Sequence, residues 1–164
     1  MQILNDRQIR QKIKRLAIEI VEHNISVKKL ILAGINNNGM TFARLLEEQL
    51  KAICEKEIVM TRLVINPAEP LSSEVQLDMP IKKLKNKVII IVDDVANTGR
   101  TIFYACKPLM DTLPKKVEVA VLVDRTHKSF PIKVDYCGLS LATTLLENIE
   151  VKIKDVESFS VNLN

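Results

Sequence analysis

The sequence predicts an α/β fold in which helices flank both faces of a twisted, parallel sheet. Apolar strand-like runs alternate with stretches of helical periodicity, and no repeat or linker interrupts the alternation. Parallel strands are buried on both faces and are connected through helices, which gives this pattern. The chain has 164 residues, so we expect a single domain over residues 1–164 with a substantial core.

Three stretches have the apolar spacing of an amphipathic helix. They cover residues 6–23, 39–50 and about 98–113. Asn5 or Asp6 can cap the first helix, because each side chain offers an oxygen to the free N–H groups of the first turn. The helices fall between apolar runs, as the connections of a parallel sheet require.

Four apolar runs have the length and composition of buried strands. They cover residues 29–33, 57–65, 88–92 and 117–123, and shorter strand-like pieces follow near 134–137, 149–153 and 159–163. We expect a small hood from the C-terminal part of the chain. Two prolines and two serines between residues 66 and 73 predict an exposed loop.

Composition narrows the class of protein. The net charge of +4 and the pI of about 9.0 indicate anionic ligands or RNA, and an ordinary basic surface explains them equally well. Aromatic residues make up only 4%, which argues against single-strand nucleic-acid binding by stacking. The three cysteines lack a CxxC pattern, and neither a signal-peptide core nor a membrane-spanning run occurs. We therefore expect a cytoplasmic protein without a membrane partner.

The run of residues 88–101 carries the most chemical information. Five apolar residues end in Asp93 and Asp94, and a short loop with Gly99 and two threonines leads into a helical stretch. Loop N–H groups and hydroxyls suit a phosphate, whereas paired carboxylates suit ribose hydroxyls and Mg²⁺. The Walker A and dinucleotide-binding motifs are both absent. The pattern predicts a sugar-phosphate site; the plain alternative is a βα unit whose strand happens to end in two aspartates.

Polar or small residues also follow two other predicted strands. Gly34, Asp93 and Asp124 each lie just past the end of a strand. Ligands of open α/β sheets bind beyond the carboxyl ends of the strands, so we expect these three positions to converge on one site.

The run of residues 88–101 resembles the 5-phosphoribosyl 1-pyrophosphate (PRPP) signature of type I phosphoribosyltransferases. That signature has four apolar residues, two acidic residues and a loop closing on Thr-Gly and a further Thr. Residues 120–128 and 130–138, with their Val-Asp-Arg-x-His sequence, resemble one subfamily: the pyrimidine-operon attenuator proteins, which also act as uracil phosphoribosyltransferases. The related hypoxanthine-guanine enzymes typically have Lys where this chain has Asp124, so the resemblance favours uracil over purines.

The resemblance implies a role for each part of the site. PRPP would be bound by nine consecutive residues: Asp93, Asp94, Val95, Ala96, Asn97, Thr98, Gly99, Arg100 and Thr101. The pyrophosphate loop would consist of Gly34, Ile35, Asn36, Asn37 and Asn38. The base would lie near Asp124 and Arg125, and the catalytic positions would be Asp93, Asp94 and Asn97. Mg²⁺ would reach the two aspartates through PRPP, and the protein would form a homo-oligomer.

Three departures from the family bear on activity. The subfamily's pyrophosphate loop commonly reads Gly-Ile-Lys-Thr-Arg-Gly, whereas residues 34–39 read Gly-Ile-Asn-Asn-Asn-Gly and lack both basic side chains. Purine enzymes have a catalytic Asp where this chain has Asn97, and Asn cannot act as a general base. The loop after Ile65 looks shorter than the family's flexible catalytic loop. We therefore expect a nucleobase phosphoribosyltransferase of reduced activity, with uracil favoured.

The alternative is a PRPP- or nucleotide-binding regulator with little or no catalysis. RNA is a minor partner hypothesis, because Lys128 and Lys133 stand where the attenuator family carries arginines. Lysine cannot reproduce the bidentate contacts of arginine.

Overall fold

The computed structural model describes residues 1–164. The strands are β1 (Gln2–Leu4), β2 (Lys29–Ile35), β3 (Glu57–Val64), β4 (Gln76–Leu77), β5 (Val88–Ala96), β6 (Lys116–Arg125), β7 (Tyr136–Leu141), β8 (Ile149–Lys152) and β9 (Ser160–Leu163). The helices are α1 (Asp6–Glu22), α2 (Asn36–Ile53) and α3 (Arg100–Ala105), with short 3-10 helices at Ile81–Leu84 and Lys107–Asp111.

Six strands form the main sheet in the order β4-β3-β2-β5-β6-β7. Every neighbouring pair is parallel except β3 with the two-residue edge strand β4. α1 and α2 cover one face, and α3 with the two 3-10 helices covers the other. The predicted fold class, a parallel sheet flanked by helices, is confirmed.

The first helix forms where the sequence predicts it. The Asn5 side chain accepts a hydrogen bond from the Gln8 N–H at 3.0 Å, and the Gln8 side chain accepts one from the Asn5 N–H at 2.9 Å. This reciprocal capping box satisfies two backbone donors that a helix start otherwise leaves free. The buried face of α1 packs on the sheet through Ile9, Ile13, Leu16, Ala17 and Ile20.

The predicted long helix over residues 98–113 is wrong. α3 ends at Ala105, and a 3-10 helix with Pro108 near its start follows. Proline has no N–H to donate to the preceding turn, and its ring disfavours helical geometry at the residue before it. The α-helix therefore stops, although the apolar spacing continues.

The strands that bear the predicted site residues are longer than expected. β2 extends to Ile35, β5 to Ala96 and β6 to Arg125. Gly34, Asp93 and Asp124 therefore lie within the last residues of these strands, and the prediction that they lie past the strand ends is wrong. Pairing continues through them because ladder hydrogen bonds use the backbone, which polar side chains leave free. α2 likewise begins at Asn36, three residues before the predicted start.

The hood is a three-stranded antiparallel sheet in the order β1-β9-β8. β1 comes from the other end of the chain. The prediction that the C-terminal part alone forms the hood is therefore wrong. The Met1 amino group donates to the Leu163 carbonyl at 2.6 Å, which places the two ends of the chain side by side. Three residues are too few for an alternating pattern to reveal a strand.

None of the helices combines the length and the apolar character needed to span a membrane. The three cysteines form no disulfide and are half-buried.

A polar group is buried near the amino ends of the strands, at the edge opposite Asp93. The Tyr136 hydroxyl, in a side chain only 1% exposed, donates to the Glu118 carboxylate, with oxygens at 2.9 and 3.0 Å. The Asn24 amide nitrogen lies 3.3 Å from the same hydroxyl. Burial, together with the Glu118 carboxylate, raises the pKa of Tyr136, because both disfavour the phenolate.

Removing this hydroxyl should destabilise the protein in a pH-dependent way. Tyr136→Phe should lower the free energy of unfolding by about 1–2 kcal/mol at pH 7, since a buried bond to a carboxylate is lost. The raised pKa of Tyr136 contributes stability below the unfolded-state pKa of about 10, and that contribution falls as the pH rises further. Urea unfolding between pH 7 and 11 should show the difference between wild type and variant shrinking above about pH 10.

Tyr104→Phe is the matched control, because the Tyr104 hydroxyl makes no hydrogen bond within the chain. A difference between wild type and Tyr136→Phe that stays constant up to pH 11 would contradict the account.

Candidate functional site

Two loops start side by side at the carboxyl edge of the sheet. β2 and β5 are adjacent, and Gly34 lies level with Val92. A Cβ on Gly39 would lie 2.5 Å from the Val92 carbonyl oxygen, so only glycine lets the first turn of α2 pack against the end of β5. The loop of residues 34–38 is thereby held next to Asp93 and Asp94. We call these five residues, the last two of β2 and the first three of α2, the asparagine loop.

Residues 96–101, which we call the phosphate loop, follow β5. Gly99 has φ of 87°, a left-handed conformation that residues with a Cβ rarely adopt. The backbone N–H groups of Thr98, Gly99, Thr101 and Ile102 donate to no other backbone group. They border a cleft of about 450 Å³ that also includes Asp93. Such convergent, unused N–H groups suit an anion with several oxygens.

A segment after β6 covers the phosphate loop. The N–H groups of Ser129 and Phe130 both donate to the Thr98 carbonyl, at 3.0 and 3.2 Å. A Cβ on Gly99 would lie 2.6 Å from a side-chain carbon of Ile132, so the segment rests directly on the glycine. Ser129 and Phe130 line the cleft. Sequence reasoning did not assign either residue to the site, since their place depends on the return of the chain from β6.

Asp93 and Asp94 stand at the centre of the site. The Asp94 N–H donates to the Asp93 carboxylate, and the Val95 N–H donates to the Asp94 carboxylate, both at 2.9 Å. Burial and the neighbouring Asp94 carboxylate raise the pKa of Asp93 well above its usual value. Burial also raises the pKa of Asp94. A cation or hydroxyl donors placed beside the pair would favour its ionised form.

A second cleft, of about 420 Å³, lies on the other side of the carboxylates. It is lined by Asn36, Asn37, Asn38 and Ile35 from the asparagine loop, together with Asp93, Asp94, Pro67 and Ile149. Asp93, Val95, Asn97 and Thr101 border both clefts. The structure thus brings the predicted phosphate loop, carboxylates and pyrophosphate loop together around one continuous opening.

The three asparagines of the loop differ in their surroundings. Asn36 is half-buried, and its amide forms two hydrogen bonds with the backbone of Ile65. Asn37 and Asn38 are exposed, and their side chains make no hydrogen bond within the chain. These two side chains are therefore free to meet a ligand in the second cleft.

Asp124 and Arg125 lie at the rim, outside the lining of both clefts. Asp124 is level with Ala96 and forms an ion pair with Lys128 at 2.6 Å. The Lys128 ammonium also bonds the Arg125 carbonyl oxygen. The Arg125 guanidinium reaches the Asn97 side chain at 3.4 Å and the Thr144 carbonyl at 2.8 Å. Arg125 therefore connects the phosphate loop to the chain leading into the hood.

The carboxylates of Asp93 and Asp94 suit a metal ion that is bound jointly by the protein and a phosphorylated ligand. No group of three or more His, Cys, Asp or Glu side chains is arranged to hold a metal ion. Protein-bound Mg²⁺ commonly takes one or two carboxylates and completes its shell with substrate phosphate oxygens and water. Asp93 and Asp94 fit that arrangement, with the remaining oxygens supplied by a phosphorylated ligand.

Comparison with known proteins identifies the class to which this fold and site belong. The phosphoribosyl transferase domain family matches residues 1–158, and the chain belongs to this family. Among curated relatives, the bifunctional protein PyrR of Acetivibrio thermocellus is 36% identical over 95% of this chain and 89% of its own length. The bifunctional protein PyrR of Streptococcus uberis is 38% identical over 95% and 91%, respectively. The predicted type I phosphoribosyltransferase family is confirmed.

Solved structures share the fold. The hypoxanthine phosphoribosyltransferase of Trypanosoma cruzi superposes with a TM-score of 0.77 at 18% identity, covering 98% of this chain and 95% of that one. A hypoxanthine-guanine phosphoribosyltransferase of Bacillus anthracis gives a TM-score of 0.76 at 14% identity, covering 97% and 95%. At such low identity these similarities concern the fold alone.

Neutralising Asp93 should stabilise the protein at high pH. A raised folded-state pKa contributes stability at low pH, and this is lost as the pH rises through that pKa. Asp93→Asn removes the ionisation, so its free energy of unfolding should exceed that of wild type by about 1 kcal/mol or more at pH 8. Near pH 4 the two proteins should differ little. Urea unfolding at both pH values measures the difference.

The exposed Asp111, changed to Asn, provides the control and should leave stability unchanged at both pH values. An Asp93→Asn variant that is less stable than wild type at pH 8 would refute the proposed burial effect.

Proposed function

We propose that this chain transfers phosphoribose from PRPP to a nucleobase, with uracil favoured, and releases pyrophosphate. The observation that carries the proposal is the order of the site: phosphate loop, Asp93–Asp94 pair, asparagine loop. PRPP has the same order of groups, with its 5-phosphate at one end, ribose hydroxyls in the middle and pyrophosphate on C1. Membership of the phosphoribosyl transferase family and the PyrR relatives support this assignment.

In this proposal each part of PRPP meets matching chemistry. The 5-phosphate takes the unused N–H groups of the phosphate loop together with the hydroxyls of Thr98 and Thr101. The ribose hydroxyls donate to the carboxylates of Asp93 and Asp94. The pyrophosphate lies in the second cleft, against the first turn of α2 and the amides of Asn37 and Asn38.

The reaction displaces pyrophosphate from C1 of the ribose. The bond from C1 to the pyrophosphate oxygen breaks, a bond from a base nitrogen to C1 forms, and that nitrogen loses its proton. Positive charge develops on the ribose as the leaving group departs, next to the Asp93–Asp94 pair, so the chain acts by positioning and by charge stabilisation. Mg²⁺, when bound with PRPP, would neutralise charge on the leaving pyrophosphate.

In this proposal Asn97 helps to orient the ligand and does not transfer a proton. It borders both clefts, and its amide oxygen accepts from Arg125. Because an amide is not a general base, the proton released by the base nitrogen goes to solvent. Catalysis therefore depends on a base that loses this proton readily.

The choice of base rests on the rim residues. Asp124 stands where purine enzymes typically carry a lysine, which supports uracil. The ion pair between Asp124 and Lys128 nevertheless puts an ammonium beside that position. Purines must therefore be tested with the same care as uracil.

The test is pyrophosphate release from PRPP with Mg²⁺ in the presence of uracil, hypoxanthine, guanine, xanthine or adenine. We expect release with uracil to exceed that with each purine. Asp93→Asn combined with Asp94→Asn should abolish PRPP binding by calorimetry, because both ribose-binding carboxylates are lost. Binding that survives in the double variant would show that the site has been assigned to the wrong residues.

Returning charge to the asparagine loop should raise activity. Asn38 is exposed and unbonded, so Asn38→Arg can direct a guanidinium at the pyrophosphate without breaking a contact. We expect the KM for PRPP to fall about tenfold, as one charge-assisted hydrogen bond is gained. Asn38→Gln extends the side chain without charge and should leave KM close to the wild-type value. If Asn38→Arg and Asn38→Gln change the KM for PRPP equally, the missing positive charge beside the pyrophosphate does not limit activity.

The lack of basic side chains in the asparagine loop favours one second candidate, a PRPP-binding regulator with little catalysis. Calorimetry decides between the two: PRPP binding without turnover on any base favours the regulator. RNA binding stays a prediction, supported by the net charge and by the resemblance to the attenuator family.

A further inference from the structure

Both polar atoms of the Asn36 side chain form a hydrogen bond in a contact that the proposed function does not use. Its amide nitrogen donates to the Ile65 carbonyl at 2.9 Å, and its amide oxygen accepts from the Ile65 N–H at 3.0 Å. The two bonds close a ring, as two peptide groups do when they pair. Ile65 is itself only 6% exposed and packs in the core between the sheet and α3.

The backbone of Asn36 is as unusual as its side-chain contact. Its φ of 52° lies in the left-handed region, where asparagine is among the few non-glycine residues found readily. At this residue the chain turns from β2 into α2. The backbone angle and the two side-chain bonds therefore fix the direction in which the asparagine loop starts.

Ile65 leads directly into the loop of residues 66–73, and a second contact holds the same stretch. The Arg100 guanidinium, which belongs to the phosphate loop, donates to the Pro67 carbonyl at 2.7 Å. Pro67 also lines the second cleft. The asparagine loop and the phosphate loop are thus both attached to one short stretch, residues 65–67.

We propose that Asn36 is a positioning residue, which sets the geometry of the pyrophosphate loop through Ile65 and does not itself bind pyrophosphate. This inference rests on the proposed function. It distinguishes the three asparagines: Asn37 and Asn38 face the ligand, whereas Asn36 holds the loop that presents them. A lysine at position 36 would return charge but has no acceptor for the Ile65 N–H.

The test combines a local readout with ligand binding. Asn36→Ala should speed hydrogen exchange of the Ile65 amide about tenfold or more, because its acceptor is removed. The same variant should weaken Mg²⁺–PRPP binding by calorimetry about tenfold, through misplacement of the loop. In kinetics the KM for PRPP should rise while the KM for the base stays near its wild-type value.

Asn86→Ala is the matched control. Asn86 also has a positive φ, 58°, but its side chain makes no hydrogen bond within the chain and it lies before β5, at the opposite edge of the sheet. The control carries the same backbone cost and should alter neither Ile65 exchange nor PRPP binding.

Asn36→Lys separates positioning from direct binding. We expect it to weaken PRPP binding, in contrast to Asn38→Arg, because lost positioning outweighs the added charge. Tighter PRPP binding by Asn36→Lys would overturn the inference. So would an Asn36→Ala variant in which only one of the two quantities, exchange at Ile65 or PRPP affinity, changes.

Failure of the proposed function looks different. Wild-type protein that binds no PRPP would refute the function and, with it, the positioning role, whatever the exchange at Ile65. Wild-type binding with unchanged affinity in Asn36→Ala would leave the function standing and refute the role of Asn36 alone.

Discussion

β2 and β5 lie side by side at the centre of the sheet, with Gly34 level with Val92. The loops that follow these strands therefore begin at one edge, a few ångströms apart, and they can share a single ligand. Both strands are buried by helices on both faces, so a shift in their register would disrupt close packing against both helical layers. The separation of the two loops is thus fixed by the core and not by the loops themselves.

The site carries features that oppose folding. Burial raises the pKa of both adjacent carboxyl groups, and several N–H groups of the phosphate loop donate to no other backbone group. A charged carboxylate that is partly buried lowers stability when no ligand compensates it, whereas the N–H groups beside the open cleft can donate to water. The five residues of β5 that precede Asp93 are at most 1% exposed, and their burial offsets this cost. Partly buried ionisable groups on a rigid strand are typical of sites prepared for a charged ligand.

Local patterns in the sequence were sufficient to locate α1 and the four central strands β2, β3, β5 and β6, although not the ends of those strands. They failed where structure depends on a single residue or on a distant partner. Apolar periodicity continued past Pro108, although the α-helix could not. The hydrogen-bond partner of Asn36 is the backbone of a residue 29 positions away. Because every residue has such a backbone group, the side chain at that position does not reveal the contact. The same holds for Ser129, whose place over the phosphate loop depends on how the chain returns from β6.

The hood pairs the first strand of the chain with the last. β1 joins β9, so this sheet closes a loop that contains nearly every other residue. Contacts between residues so far apart in sequence form late, because the entropy of closing a long loop must be met first. During synthesis the central sheet, through β7, can assemble before β9 leaves the ribosome, whereas β1 must wait for its partner. The hood, which contributes Ile149 to the lining of the second cleft, is therefore completed after the central sheet.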